Sequence, residues 1–545
     1  MIVYVDAPQG LSISNSDTTE IHDKRFVMTG LDVDYKEPSK SKWKSCLILV
    51  QDCGHSRKFE WAFLGLYAFL LALLTARHVM WFDEVQAWLI ARNSTSIADL
   101  FYNLRSEGHP ALWYMLLYIP AHISWNPVSI QAINYLFSVV EAWLILSARK
   151  LPWSIRALAI FSYYGFYQYA VYARSYMLAM LLLTAAARCL LGEREHRKLA
   201  VLFLALSINT HVFAIPIAAA LAVQMFYPSK LNSRKNLGML FRDFEFWATS
   251  AVLLASVCAS YFTVRQSANA STPQYAAAQH STPYYFLSTE SQAWRALIGP
   301  NHLTDRLYDW LASHHRPIVP IAVLSLALIL LLAAALRTAQ ARSILFVAFS
   351  LEFLAIAETV HQPRTHHLGL IFLVFILALL IDAYTAPNIN SRPWLSRPVA
   401  FAVVLAILSL QALEAASSYR AEWSHLSMAK ATGSWLKQTG FSKNPLVMEG
   451  NYEGAAVLTY MERSSAYYPA CSCVTSFVVW SEGRGKNRMV TEDELEGLSR
   501  SSPLPVIVVS GTELPPETLK SLRLQELRAF SGVMAEGSFY VYQRL

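Results

Sequence analysis

The chain is a succession of long apolar runs. Runs able to span the hydrocarbon core of a bilayer, about 30 Å thick, cover 60–78, 128–147, 152–170, 175–191, 244–264, 317–336, 343–360, 367–385 and 397–416. A further run, 199–227, fits either one tilted helix or a hairpin of two short ones broken at Asn209-Thr210-His211. A shorter run, 111–124, suits an interfacial or re-entrant helix better than a span. Charged residues make up only 15% of the 545, against about 25% in ordinary soluble domains. So little charge cannot cover a soluble fold of this size. The expected fold class is therefore a polytopic α-helical membrane protein. Collagen-like, disulfide-framework and bulk-disordered classes are excluded by the same composition.

Basic residues orient the runs. The net charge of +7 does not point to nucleic acid, because the Lys and Arg residues lie mainly between apolar runs, where they set topology. Lys40, Lys42, Lys44, Arg57 and Lys58 place the N-terminal tail in the cytoplasm. With 111–124 at the outer interface and 199–227 as a hairpin, each later basic cluster (Arg149-Lys150, Arg194 to Lys198, Lys230 to Arg242, Arg337-Arg342, Arg392-Arg397) falls on that same side. The expectation is about eleven spans of some 20 residues, a cytoplasmic N-terminus and an extracytoplasmic C-terminus. The domains are then 1–59, a polar tail disordered in its first part with no cleavable signal; 60–416, the membrane domain, with outer loops 79–127 and 265–316; and 417–545, outside.

The last region reads differently. A helix ends over Trp435 to Gly440, and strands are expected at 445–448, 505–509 and 539–542, bounded by Gly, Pro and Ser. This is a small α/β domain. Cys471 and Cys473 lie two apart, where a bridge is expected to be strained, and they read as free thiols. There is no repeat of domain-building length, and the Gly-x-Gly at 483–485 opens no phosphate-binding turn.

The few ionisable residues on the expected outer side are Asp83, Glu84, His109, Arg174, His211, Arg364, His366 and His367, drawn from distant stretches. Charged groups at membrane depth are costly and mark sites. The sharpest pattern is Trp81-Phe82-Asp83-Glu84-Val85-Gln86-Ala87-Trp88, followed by Glu107-Gly108-His109-Pro110-Ala111-Leu112-Trp113-Tyr114. An Asp-Glu pair just after the first span and a later His-Pro segment resemble the GT-C glycosyltransferases, in particular their protein-mannosyltransferase-like and aminoarabinose-transferase-like branch. Ala111 stands where that branch has a second Pro. Tyr172-Ala173-Arg174-Ser175-Tyr176-Met177-Leu178 resembles a further segment of the branch, with Tyr172 in place of an acid. Thr210-His211 and Arg364-Thr365-His366-His367-Leu368-Gly369 add weaker likenesses. The resemblance covers roughly 60–420 and leaves the C-terminal domain without a signature.

The resemblance implies an enzyme that takes a sugar from a polyprenyl-phosphate donor on the outer face, periplasmic or lumenal, and transfers it with inversion to a glycan, glycolipid or protein. A bacterial inner membrane suits it better than endoplasmic reticulum. Such a reaction needs a base for the acceptor proton, cations for the leaving phosphate and an apolar groove for the lipid. Asp83 suits the base. Glu84 either shares the catalytic work or orients it. Arg174 and Arg364 suit the phosphate, since guanidinium binds it through paired hydrogen bonds. His109, His211 and His366 are candidate substrate-binding residues. A divalent metal on Asp83, Glu84 and His109 is possible chemistry, but no tight ligand spacing supports it. The other readings are a multi-span transporter or lipid flippase and a scaffold whose outer domain binds a partner. The dense aromatic run Tyr163 to Tyr172 reads as an interfacial belt. Asn93-Ser94-Thr95 and Asn269-Ala270-Ser271 are formal glycosylation sequons.

Overall fold

The computed structural model describes residues 56–105, 107–192, 196–226, 242–265, 292–300, 318–360, 364–386, 398–424, 426–449, 454–478, 488–533 and 537–545. The expectations for the N-terminal tail, most of loop 265–316, the second sequon and the Gly-x-Gly at 483–485 lie outside these residues.

The helices follow the apolar runs closely. They are α1 (Arg57–Arg77), α2 (Phe82–Asn93), α3 (Ile97–Leu104), α4 (Leu112–Ile123), α5 (Val128–Leu146) and α6 (Trp153–Ile160), then α7 (Ser175–Leu191), α8 (Arg197–Ile208), α9 (Ala214–Phe226) and α10 (Phe244–Val264). After these come α11 (Ala293–Ile298), α12 (Ile318–Ala335), α13 (Ala339–Val360), α14 (Thr365–Thr385) and α15 (Pro398–Ala421). Six of them, α1, α5, α10, α13, α14 and α15, are long and apolar enough to cross a membrane. The run 199–227 is two helices, α8 and α9, parted at Asn209 to Phe213. The run 111–124 is the 12-residue α4, about 18 Å long at 1.5 Å per residue, too short to span.

Helix α14 is apolar all round and is correspondingly central, with an unbroken buried stretch from Leu368 to Asp382. Its end is pinned by Asp382, whose carboxylate accepts from the Arg337 backbone N–H at 2.7 Å, from Arg337 Nε at 2.8 Å and from the Thr338 N–H at 2.8 Å. Helices α10 and α12 instead expose Trp247, Phe262, Leu324 and Leu330, faces that hydrocarbon would cover.

One expected span is not continuous. The run 152–170 breaks after the eight residues of α6 into a π-helical segment, Tyr163–Gln168. Polar side chains satisfy the backbone groups that the break frees. Ser162 Oγ accepts from the Gly165 N–H, the Tyr67 hydroxyl donates to the Gly165 carbonyl at 2.8 Å, and Asn134 donates to the carbonyls of Tyr169 and Ala170 at 2.9 Å each. Irregular backbone survives at membrane depth only where protein covers it. The aromatic run is therefore not an interfacial belt. Tyr163, Tyr164, Phe166, Tyr167 and Tyr169 are all buried.

The C-terminal part contains α16 (Ala429–Gln438), β1 (Leu446–Glu449), α17 (Gly454–Tyr460), β2 (Ala466–Tyr468), β3 (Cys473–Thr475), α18 (Glu492–Arg500), β4 (Ile507–Ser510), α19 (Pro516–Ser521), β5 (Leu524–Phe530) and β6 (Phe539–Arg544). The six strands form one mixed sheet in the order β3-β2-β1-β4-β6-β5. The fully buried β1 and β4 pair in parallel at its centre, Val447 opposite Val508. Cys471 and Cys473 are bridged, which corrects the free-thiol expectation. Ser472 between them is left-handed at φ 49°, and the Cα atoms lie 5.1 Å apart, inside the range of about 4.4–6.8 Å that a bridge needs.

This sheet unit packs against α2, which is buried on nearly every side. Gln86 clamps it, since Gln86 Oε1 accepts the Val478 N–H at 2.9 Å and Nε2 donates to the Val478 carbonyl at 2.7 Å. The Tyr460 hydroxyl accepts the Met80 N–H at 3.0 Å. Asn93, the first sequon's asparagine, donates to Leu89 O and Ser476 Oγ, and Ser94 is buried, so that sequon is built into the packing.

Candidate functional site

The site begins where α1 ends. Four residues link α1 to α2, and Asp83 and Glu84 fall in the first turn of α2, where a helix N-terminus favours negative charge. The two carboxylates then part company. Asp83 is a quarter exposed and forms an ion pair with Arg174 Nη1 at 2.9 Å. Glu84 is fully buried. Its Oε2 accepts the Trp81 N–H at 2.8 Å and lies 2.8 Å from His78 Nε2, and its Oε1 accepts the Ala173 N–H at 2.7 Å.

Glu84 thereby fastens the backbone beside Arg174 to the turn that carries Asp83. His78 is held from its other side by Glu422, at 3.3 Å from Nδ1, and Glu422 also accepts from the Tyr167 hydroxyl at 2.9 Å. Burial works against a charge on His78, but the two flanking carboxylates outweigh it and lift the imidazole to about 10. Burial likewise disfavours ionised Glu422, and cationic His78 overrides that and holds its carboxyl below the usual range. The ion-paired core His78–Glu84–Glu422 ties together α1, α2 and the end of α15.

The other sequence-selected residues converge on the far side of Arg174. The guanidinium carbon lies 5.2 Å from the Tyr176 ring centre. The Tyr176 ring sits 4.3 Å from the His211 ring and 5.6 Å from the His366 ring. The His109 ring is 5.5 Å from the His211 ring, and His366 and His367 are 4.2 Å apart. Local backbone explains two of these placements. Gly108 at φ 71° makes the turn that brings His109 in. Thr210 and His211 fill the break between α8 and α9, where His211 Nδ1 accepts the Phe213 N–H at 3.1 Å. Arg364 is different. It is exposed at the start of α14.

The residues that sequence reading passed over are Glu107, Tyr176, His78 and Glu422. Half-buried Glu107 accepts from Gln86 Nε2 at 2.5 Å and from the Tyr114 hydroxyl at 3.4 Å. Burial pushes its carboxyl up to about 8, and the nearby charge of Asp83 adds to the rise. The Glu107 carbonyl lies 3.0 Å from His109 Nδ1. Burial lowers the His109 imidazole, and the positive charge of Arg174 adds to it. Near neutral pH the arrangement thus sets a protonated Glu107 and a neutral His109 close to solvent-reachable Asp83 and its partner Arg174. Among the described residues no three His, Cys, Asp or Glu side chains converge as metal ligands.

Among solved structures, the chain is similar to ArnT from Cupriavidus metallidurans in the apo state, with a TM-score of 0.50 and 12% identity over 90% of this chain and 99% of that one. The fold is a GT-C fold. A structure of the same ArnT bound to undecaprenyl phosphate matches with a TM-score of 0.39 and 11% identity, over 90% of this chain and 98% of that one. No known protein family matches the sequence, and no curated protein is similar to it. The chain's polytopic helical part, with six helices among the described residues long and apolar enough to cross a membrane, is followed by a small C-terminal sheet unit.

Proposed function

We propose that the protein is a membrane glycosyltransferase that moves a sugar from a polyprenyl-phosphate donor to an acceptor hydroxyl on the outer face of the membrane. The observation that carries this reading is the Asp83–Arg174 contact of 2.9 Å, a base beside a phosphate-type cation at the end of a membrane helix. Asp83 takes the acceptor proton as the acceptor oxygen attacks the anomeric carbon. The bond from that carbon to the phosphate oxygen breaks in the same displacement, so the configuration inverts. The lipid phosphate leaves with the electron pair, and Arg174 neutralises it.

A lipid-linked donor is favoured on chemical grounds. Nucleotide sugars are not supplied outside the cytoplasm, whereas a polyprenyl phosphate delivers its sugar at the membrane surface. Glu84, with both oxygens engaged by the protein, serves as a positioning residue for Asp83 and Arg174. His109, His211 and His366 border the sugar, together with Tyr176. Arg364, from its exposed place at the start of α14, adds a second cation for the phosphate. The sheet unit of the expected 417–545 domain faces the acceptor.

The test is transfer from defined polyprenyl-phosphate sugars by the purified protein and its Asp83→Asn variant. Loss of a general base is expected to slow transfer by about 10²–10⁴-fold, with membrane insertion and thermal stability near those of the parent. Turnover close to wild type would overturn the mechanism. Mass spectrometry of surface glycans with and without the variant would identify sugar and acceptor together.

A further inference from the structure

A second site lies at the opposite end of α1. Arg57, Trp61 and Leu64 from the first turns of that helix face Trp143, Leu146 and Arg149, from the end of α5 and just beyond it, across a cavity of about 340 Å³. Ligand pockets begin at about 300 Å³, so the space suits a small headgroup.

Beneath it lies a charged cluster. Arg149 grips Glu60 with two hydrogen bonds, Nε to Oε1 at 2.9 Å and Nη2 to Oε2 at 2.5 Å. Fully buried Arg156 reaches the same carboxylate at 3.0 Å and also bonds the Leu146 carbonyl. One carboxylate is therefore shared by two guanidiniums. Arg57 stands exposed at the rim, with no ion-pair partner among the described residues. The cluster is net positive, with three arginines to one glutamate. Its walls are apolar, and the indoles of Trp61 and Trp143 remain 61% and 43% exposed.

Both α1 and α5 are long and apolar enough to cross a membrane, so the cavity sits where hydrocarbon gives way to headgroups. A tryptophan at that level is an ordinary interfacial anchor. A cavity lined by half-exposed Arg149, with buried Arg156 holding the same carboxylate behind it, is more than an anchor. We propose that this cavity binds the headgroup of an anionic phospholipid, with its phosphate on Arg57 and Arg149 and an acyl chain along Trp61 and Trp143. The excess positive charge selects the occupant. A zwitterionic lipid brings its own cation, which an excess of three arginines over one carboxylate disfavours, whereas an anionic headgroup meets a lining that is net positive.

The test is lipid binding by native mass spectrometry on the full-length, delipidated protein in detergent, titrated with phosphatidylglycerol, phosphatidylcholine or inorganic phosphate. The variants are Arg57→Gln and Trp143→Ala, both on exposed side chains. Arg149 is left intact because it holds Glu60. The expected result is preferential binding of phosphatidylglycerol, weakened about fivefold by Arg57→Gln, the contribution of one basic residue near a membrane surface, and also weakened by Trp143→Ala. Equal binding of phosphatidylcholine would overturn the proposal. So would parental phosphatidylglycerol binding in both variants. Inorganic phosphate competing as well as the lipid would mark a simple anion site and overturn it too.

Discussion

Asp83 and Arg174 meet at 2.9 Å from the starts of two different helices, one beside Glu84 in the chain and the other beside a residue that Glu84 holds. Asp83 is Glu84's chain neighbour in α2, and the Ala173 N–H bonded to Glu84 Oε1 precedes Arg174. One buried carboxylate therefore sets both members of the pair. If Arg174 receives the donor phosphate, Arg174→Gln should raise the donor KM and lower kcat together, by tenfold or more, a loss of about 1.4 kcal/mol or greater. Arg174→Lys should recover only part of this, because an ammonium cannot make the planar paired contact of a guanidinium. Transfer kinetics against donor concentration check it, and an unchanged KM in Arg174→Gln would remove the phosphate role.

Glu84→Ala should harm stability first. It strips acceptors from the half-buried Trp81 and buried Ala173 N–H groups and leaves His78 opposite a single carboxylate. A buried donor without a partner costs about 1–3 kcal/mol, and breaking a buried ion pair from one side costs about 3–5 kcal/mol. The expected result is a large drop in melting temperature in detergent, with Glu84→Gln less affected because an amide keeps an acceptor oxygen. A variant as stable as the parent would mean that the clasp does not hold the two helices.

His78 gives the clasp a pH dependence with a definite sign. Its folded value, about 10, lies above the ordinary 6.5. A raised histidine contributes stability that is full below 6.5 and is lost as pH rises through 10. The slope in that window should approach about 1.4 kcal/mol per pH unit at most. Melting temperature measured from pH 6.5 to 10 should fall in the parent and should fall less in His78→Asn, which starts lower. Parallel curves would exclude His78 as the titrating group.

The long apolar runs were readable because membrane helices must be long and continuous. The run 244–264 coincides with α10, and 175–191 with α7. The run 152–170 misled for the same reason. Apolar content says nothing about whether a helix breaks, and the groups that permit the break, Tyr67 and Asn134, lie on other helices. Strands β1, β4 and β6 carry apolar cores and showed in the sequence. In β5 only Leu524 and Phe530, at its ends, are buried, so no alternation announces it. At the site, Asp83, Arg174, His109, His211 and His366 stood out as scarce ionisable groups on one side. Glu107 lay within the same quoted segment but looked like the flank of a His-Pro turn. The roles of His78 and Glu422 rest on a contact between remote helices that no local pattern encodes.

Gly369 tests whether the aromatic packing behind the site is as tight as it looks. It lies one turn beyond His366, whose carbonyl accepts from the Tyr169 hydroxyl at 2.6 Å. A Cβ at this position would run into that hydroxyl and into the Tyr164 ring. Tyr169 in turn stacks on Tyr176, with ring centres 5.1 Å apart and planes 9° apart, and Tyr176 borders Arg174. In an exposed helix, Gly→Ala is stabilising by about 1 kcal/mol. Here overpacking should reverse the sign and cost about 1–3 kcal/mol. Gly369→Ala should therefore melt at a lower temperature and, by displacing Tyr169 and Tyr176, bind donor more weakly. A higher melting temperature with unchanged donor KM would mean that the helix and the tyrosines part easily, and that Tyr176 is not held in place from behind.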